Sequence, residues 1–174
     1  MAHKYSARMD LRIVAEETLD PSVAPYAAGA NTITVENATA GRRWSDGQGS
    51  GQVDAIYRRT QASLGISATD TYNVLAAGGL ATPSGSVIDL DELKGLAIRC
   101  TSGECKLVAT ASNGLGLFTA ASEGLQLKAT GGLRAVALDL GPDGLDVTTN
   151  SQFAVVETSG AATAAYELEF IGAE

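Results

Sequence analysis

"LAIRCTSGECKLVAT", residues 96–110, carries both cysteines of the chain, Cys100 and Cys105. Its two flanks, 96–99 and 106–110, are short, apolar and partly β-branched, as strands tend to be. Between the cysteines stands "TSGE", which is turn chemistry, and a loop of this length containing Gly is a common hairpin connection. The stretch therefore predicts a β-hairpin with Cys100 and Cys105 opposite each other at its base. Such a pair is expected to be structural: a cross-strand disulfide if the compartment oxidises it, or two small buried side chains if it does not. A structural zinc needs four ligands, and the chain offers two Cys and one His, His3. A thioredoxin-like redox pair needs two intervening residues and a helix N-terminus, which this spacing does not provide.

The same texture extends outward from this hairpin. Strand candidates are "VDAIYRRTQ" (53–61), "TYNVLAA" (71–77), "GSVIDL" (85–90), "LGLF" (115–118), "GLQLKA" (124–129) and "LRAVALD" (133–139). "LDVTT" (145–149), "QFAVVET" (152–158) and "ATAAYELEFIG" (162–172) complete the set. The last alternates cleanly, with Tyr166, Leu168 and Phe170 on one face and Glu167 and Glu169 on the other. Turns such as "TPSG", "ATGG" and "GPDG" separate the runs, and closely spaced strands with such punctuation predict an all-β fold. We expect an antiparallel β-sandwich, jelly-roll-like, spanning 52–174. One helical turn is expected at "DLDELKG" (89–95), with Asp89 or Asp91 as its N-cap.

Residues 1–51 read differently, as an extended N-terminal arm followed by a Gly-rich loop. "MDLRIV" has the period of a half-exposed strand, "LDPSVAPYAAGA" holds Pro21 and Pro25, and "NTITVEN" is a short strand candidate. "NATAGRRWSDGQGSGQ" is then expected to be a long loop.

Composition limits the function. With 12 basic and 20 acidic residues the chain carries a net charge of −8, so it repels phosphate backbones and no nucleic-acid partner is expected. No apolar run is long enough to span a bilayer as a helix, and no membrane partner is expected. The N-terminal stretch lacks the apolar segment of a secretory leader, so synthesis in a cytoplasm is expected. Only 5% of residues are aromatic against 45% hydrophobic, which implies a core of small aliphatic side chains.

No catalytic constellation stands out. A nucleophile–histidine pair fails on the single His3, and "GQGSGQ" lacks the strand-to-helix setting of a phosphate loop. The acidic groups Asp89, Asp91 and Glu92, and Asp139, Asp143 and Asp146, lack calcium-loop spacing and are better read as caps and Asx turns. We expect no enzyme, no cofactor and no metal. The candidate partner interface is Arg42, Arg43 and Trp44, where the only tryptophan adjoins two arginines, together with the doublet Arg58 and Arg59; Arg and Trp are favoured interface anchors.

"SVIDLDELKGLAIRC", "TGGLRAVALD", "LDVTTNSQFAVVET" and "AAYELEFIG" together resemble a class of small structural proteins of tailed-bacteriophage particles. The matching positions are 93–98, 131–138 and 166–172, and the likeness is one of texture and order over the C-terminal half. It implies a β-sandwich component of the virion: a capsid decoration (cement) protein bound to major capsid protein subunits, or a neck- or tail-associated protein. A carbohydrate-binding tail-fibre module is a further alternative. The resemblance also implies a symmetric homo-oligomer, such as a trimer, with the arm gripping neighbouring subunits.

Overall fold

A computed structural model describes residues 7–18, 32–82, 85, 87–110, 114–118 and 123–174; for 7–18, 32–43 and Asp46 the backbone alone is described. The chain forms two compact units, Arg8–Arg43 and a larger one that holds Trp44–Glu174. The break falls ahead of the 51/52 boundary expected from composition.

The smaller unit is built from β1 (Ala7–Thr18) and most of β2 (Thr32–Asp46), neighbours in one sheet. β2 runs through "NATAGRRWSD", so the long loop expected there shrinks to 47–51. Threonine, valine and tryptophan all suit an extended chain, and a partner strand overrides the single interior Gly41. The end of β2 pairs in parallel with β3 (Gln52–Val53), Ser45 facing Gln52 and Asp46 facing Val53.

The larger unit contains β4 (Ala55–Leu64), β5 (Thr69–Asn73), β6 (Glu92–Ser102), β7 (Glu104–Ala109) and β8 (Gly124–Lys128). β9 (Ala135–Asp139), β10 (Leu145–Asp146), β11 (Gln152–Glu157) and β12 (Ala164–Ala173) follow. One sheet has the order β10-β6-β12-β4, with β9 beside β10 on the same edge of β6; the other has the order β5-β11-β7-β8. All of these pairings are antiparallel. With β9 and β10 taken as one interrupted edge strand, successive strands alternate between the sheets except at the β7–β8 hairpin. That is jelly-roll connectivity, and the all-β sandwich read from the sequence is present.

The hairpin expected around the cysteines is absent. β6 pairs with β12, β9 and β10, whereas β7 pairs with β11 and β8, so "TSGE" is a corner that carries the chain from one sheet to the other. Gly103 makes the corner: its φ is +67°, and a Cβ there would lie 2.5 Å from the Thr163 carbonyl oxygen. The helical turn expected at 89–95 is also absent, because Glu92 already begins β6. Asp89 does act as a cap, but of another turn: its Oδ1 accepts the Ala76 N–H at 2.9 Å, at the start of the short 3-10 turn Ala76–Gly78. Of the expected strands at 85–90 and 115–118 only isolated bridges form, Ala81 with Val87 and Gly114 with Gln152.

The few aromatic rings are concentrated. Tyr57 and Phe170 stand opposite each other in one sheet and stack at 4.8 Å between ring centroids. Tyr72 and Phe153 do the same in the other sheet at 5.2 Å. The two stacks meet edge to face, Phe153 against Phe170 at 6.0 Å and Tyr57 against Tyr72 at 6.1 Å. This box joins the sheets in a geometry that suits the ring quadrupoles, and Leu93, Leu96, Ile98, Leu107, Leu127 and Val155 extend the core along the sandwich.

Candidate functional site

Arg58 and Arg59 lie on β4, an edge strand, and alternation sends them to opposite faces. Arg58 stands directly across from Glu169 on β12, and its Nη2 donates to Glu169 Oε2 at 2.9 Å. On the other side of β12, Arg99 faces Glu167 at 2.7 Å. These cross-strand pairs are solvated, so water screens them and they add little stability.

Arg59 shares the inward side of β4 with Tyr57 and Gln61 and belongs to a polar cluster that closes one flank of the sandwich. Asp70 Oδ2, on β5, accepts from Gln61 Nε2 at 2.8 Å and from Tyr166 Oη at 2.5 Å, with Arg59 Nη2 at 3.5 Å. Tyr72 Oη lies 2.5 Å from Tyr166 Oη. Since the Tyr166 proton is committed to Asp70, Tyr72 is the donor in that bond. The Arg59 guanidinium sits 5.7 Å from the Tyr72 ring centroid, a cation–π contact. Burial pushes the Tyr72 hydroxyl up to about 12. Burial, reinforced by the bond to Asp70, raises Tyr166 further. At neutral pH both tyrosines are therefore proton donors. Chemically the cluster is a hydrogen-bond clamp between β4 and β12 of one sheet and β5 of the other.

Trp44 corrects an expectation. Its side chain is only 3% exposed, so it is a core residue and not an open anchor, and among the described residues its buried Nε1–H has no partner. Arg42 and Arg43 occupy β2, and their side chains lie outside the described residues. The loop after β2 is fastened by Lys94. A register shift between β6 and β12 leaves Lys94 as an extra residue in β6, which explains the unbroken buried run Leu93, Lys94, Gly95 and Leu96. Its fully buried ammonium group donates to Gly49 O at 3.2 Å and Pro142 O at 3.0 Å, and meets Glu92 Oε2 at 2.6 Å. All three N–H bonds are thus engaged. Pro142 O also accepts the Gly51 N–H at 2.9 Å, so the knot binds 49–51 to the turn between β9 and β10.

Glu157 is a second buried charge. Its carboxylate accepts from the Ser67 N–H at 2.7 Å and from the N–H and hydroxyl of Ser159, with Gly160 N–H close by. These donors, the Ser159 hydroxyl foremost, hold its pKa below the usual glutamate range. The arrangement ties the β4–β5 turn to the β11–β12 turn. Asp139 and Asp146 form the Asx turns expected of them, accepting from Gly141 N–H and Thr148 N–H. Among the described residues no group of three or more metal-ligating side chains converges.

Cys100 and Cys105 are both free and fully buried. They come from strands of different sheets, β6 and β7, and the Cys100 thiol donates to Gly103 O at 3.3 Å. Burial, with Cys100 adding to it, pushes the Cys105 thiol up to about 12, so it is an inert thiol and not a nucleophile. Both thiols pack in the core beside the corner between the sheets and not across a hairpin.

The structure thus gives Arg58 and Arg59 separate internal partners, and buries Trp44 and the two cysteines. Sequence reasoning missed Lys94, Glu157 and the cluster on Asp70. The only local hint was that both phases of alternation in "AIYRRTQ" place an arginine, so one of them had to point inward. Compared with family models, curated proteins and solved structures, the chain matches none.

Proposed function

We propose that the chain is a non-enzymatic structural protein of a tailed-phage particle, a capsid decoration protein that binds major capsid protein subunits at the virion surface. The observation that carries this reading is the two-unit construction. A jelly-roll body consumes its inward-facing charges internally, at Asp70, Lys94 and Glu157, while the separate unit Arg8–Arg43 is built from two long strands. β1 alone, with 12 residues at about 3.3 Å each, is about 40 Å of strand. Strand edges of that length suit attachment to a larger surface by backbone hydrogen bonding. Jelly rolls recur in viral capsid proteins, although they also recur in lectins, and a fold alone does not assign function. The phage setting rests on the resemblance of the C-terminal half. Assembly as a symmetric homo-oligomer belongs to the same reading.

Mass spectrometry of purified tailless heads and of tails from the particle tests it. The chain is expected in the heads. Recovery in tails alone would move it to the neck or tail, and absence from both would remove it from the virion. Binding of the full chain and of a form lacking 1–43 to undecorated heads then tests the strand-built unit, whose loss is expected to abolish retention.

A further inference from the structure

The sandwich has four sheet edges, and three are guarded. β4 carries Arg58 and Arg59, β5 carries Asp70, and β8 carries Gln126 and Lys128, bonded to Thr158 and Glu104. β9 is different. Cys100 N–H donates to Arg134 O at 2.9 Å and Leu140 N–H to Lys94 O at 3.1 Å, so even-numbered positions turn their backbone groups to β6. The N–H and C=O groups of Ala135 and Ala137 therefore point away from the sheet. Both residues are exposed, and among the described residues no strand pairs with that side. The core is open along the same line: Val136, Leu138 and Leu140 pack on it but are only half-buried, and Leu133, just before the strand, is 50% exposed. With alanine at exposed positions 135 and 137, no backbone partner for them among the described residues and an unfinished apolar rim, this edge is a template for one more strand.

We propose that β9 is a homodimer interface, pairing antiparallel with β9 of a second copy about a two-fold axis through Ala137. The strand is complementary to itself in that register. Ala137 opposes Ala137 at hydrogen-bonding positions, and the small outward side chains let the backbones approach. On the core side Val136 of each copy faces Leu138 of the other, which closes the open rim. The charges agree. In this register Arg134 opposes Leu140 and Asp139 opposes Ala135, so no like charges meet, where in-register parallel pairing would align them. A two-fold operator makes this an isologous contact that joins the β9 sheets of two jelly rolls into one. The inference stands apart from the virion reading and holds whether or not the chain belongs to a particle.

The test is sedimentation velocity on the full chain from low to high micromolar concentration, on wild type and on Ala137→Lys and Ala137→Pro. Wild type is expected to show a monomer–dimer equilibrium. Ala137→Lys sets like charges face to face on the axis, and Ala137→Pro removes an N–H that has no partner among the described residues, so each is expected to weaken dimerisation by about tenfold or more. Circular dichroism and melting of the monomer should be unchanged. Hydrogen exchange on wild type supplies a reading free of substitution: Ala135 and Ala137 amides should slow as concentration rises. A chain that stays monomeric, a trimer, or a dimer whose β9 amides exchange as fast as in dilute solution would overturn the proposal.

Discussion

Among the described residues the buried indole N–H of Trp44 finds no partner, a cost that phenylalanine would not carry. Trp44→Phe is therefore expected to leave stability unchanged or slightly higher, whereas Trp44→Ala should cost about 3–5 kcal/mol in a denaturant titration. Because Trp44 is the only tryptophan, its fluorescence reports the same point: blue-shifted, weakly quenched emission in the native state, shifting red on unfolding. Lys94→Met keeps the volume but strands the carbonyls of Gly49 and Pro142. It should destabilise by about 3 kcal/mol and strip exchange protection from the Gly51 amide. Glu157 makes a prediction about acid. Its folded pKa lies below the unfolded value, so its contribution is complete above the ordinary glutamate range and disappears as pH falls through the depressed value. Glu157→Gln should flatten that acid limb of the stability profile. None of these three roles was legible locally. Trp44 sits between arginines and a Gly-rich stretch, which reads as surface. Lys94 and Glu157 look like ordinary solvated charges until a bulge and two distant turns surround them.

The elements divide along the same line. β12 was legible because its own alternation states which face is buried, and the burial of Tyr166, Leu168 and Phe170 against half-buried Glu167 and Glu169 follows it. The β6–β7 connection was misread because a Gly-containing corner between sheets and a Gly-containing hairpin have the same local chemistry. Only the partners, β12 for one strand and β11 for the other, distinguish them. The clamp joining β4, β5 and β12 was invisible for the same reason, as its members are scattered from Arg59 to Tyr166. It carries its own pH signature. The unfolded chain ionises its tyrosines near pH 10 while Tyr72 holds its proton to about 12, so stability should decline across that alkaline interval. Tyr166→Phe should remove part of that decline and cost about 1–3 kcal/mol at neutral pH, since Asp70 loses a donor inside the protein.

β12 lies between β4 and β6, so the strand that closes the jelly roll occupies the middle of its sheet, and β4, the strand that opens it, pairs with no other strand among the described residues. Contacts so distant in sequence pay their loop-closure entropy before they return any stabilisation, and such topologies fold slowly. Deletion of 164–174 should therefore leave a chain without cooperative melting, not one merely weakened. During synthesis everything from β4 through β12, residues 55 to 173, must emerge from the ribosome before this sheet can exist at all. Until then β4 and β6 wait with open edges, and the nascent protein depends on whatever shields it from neighbours on the same message.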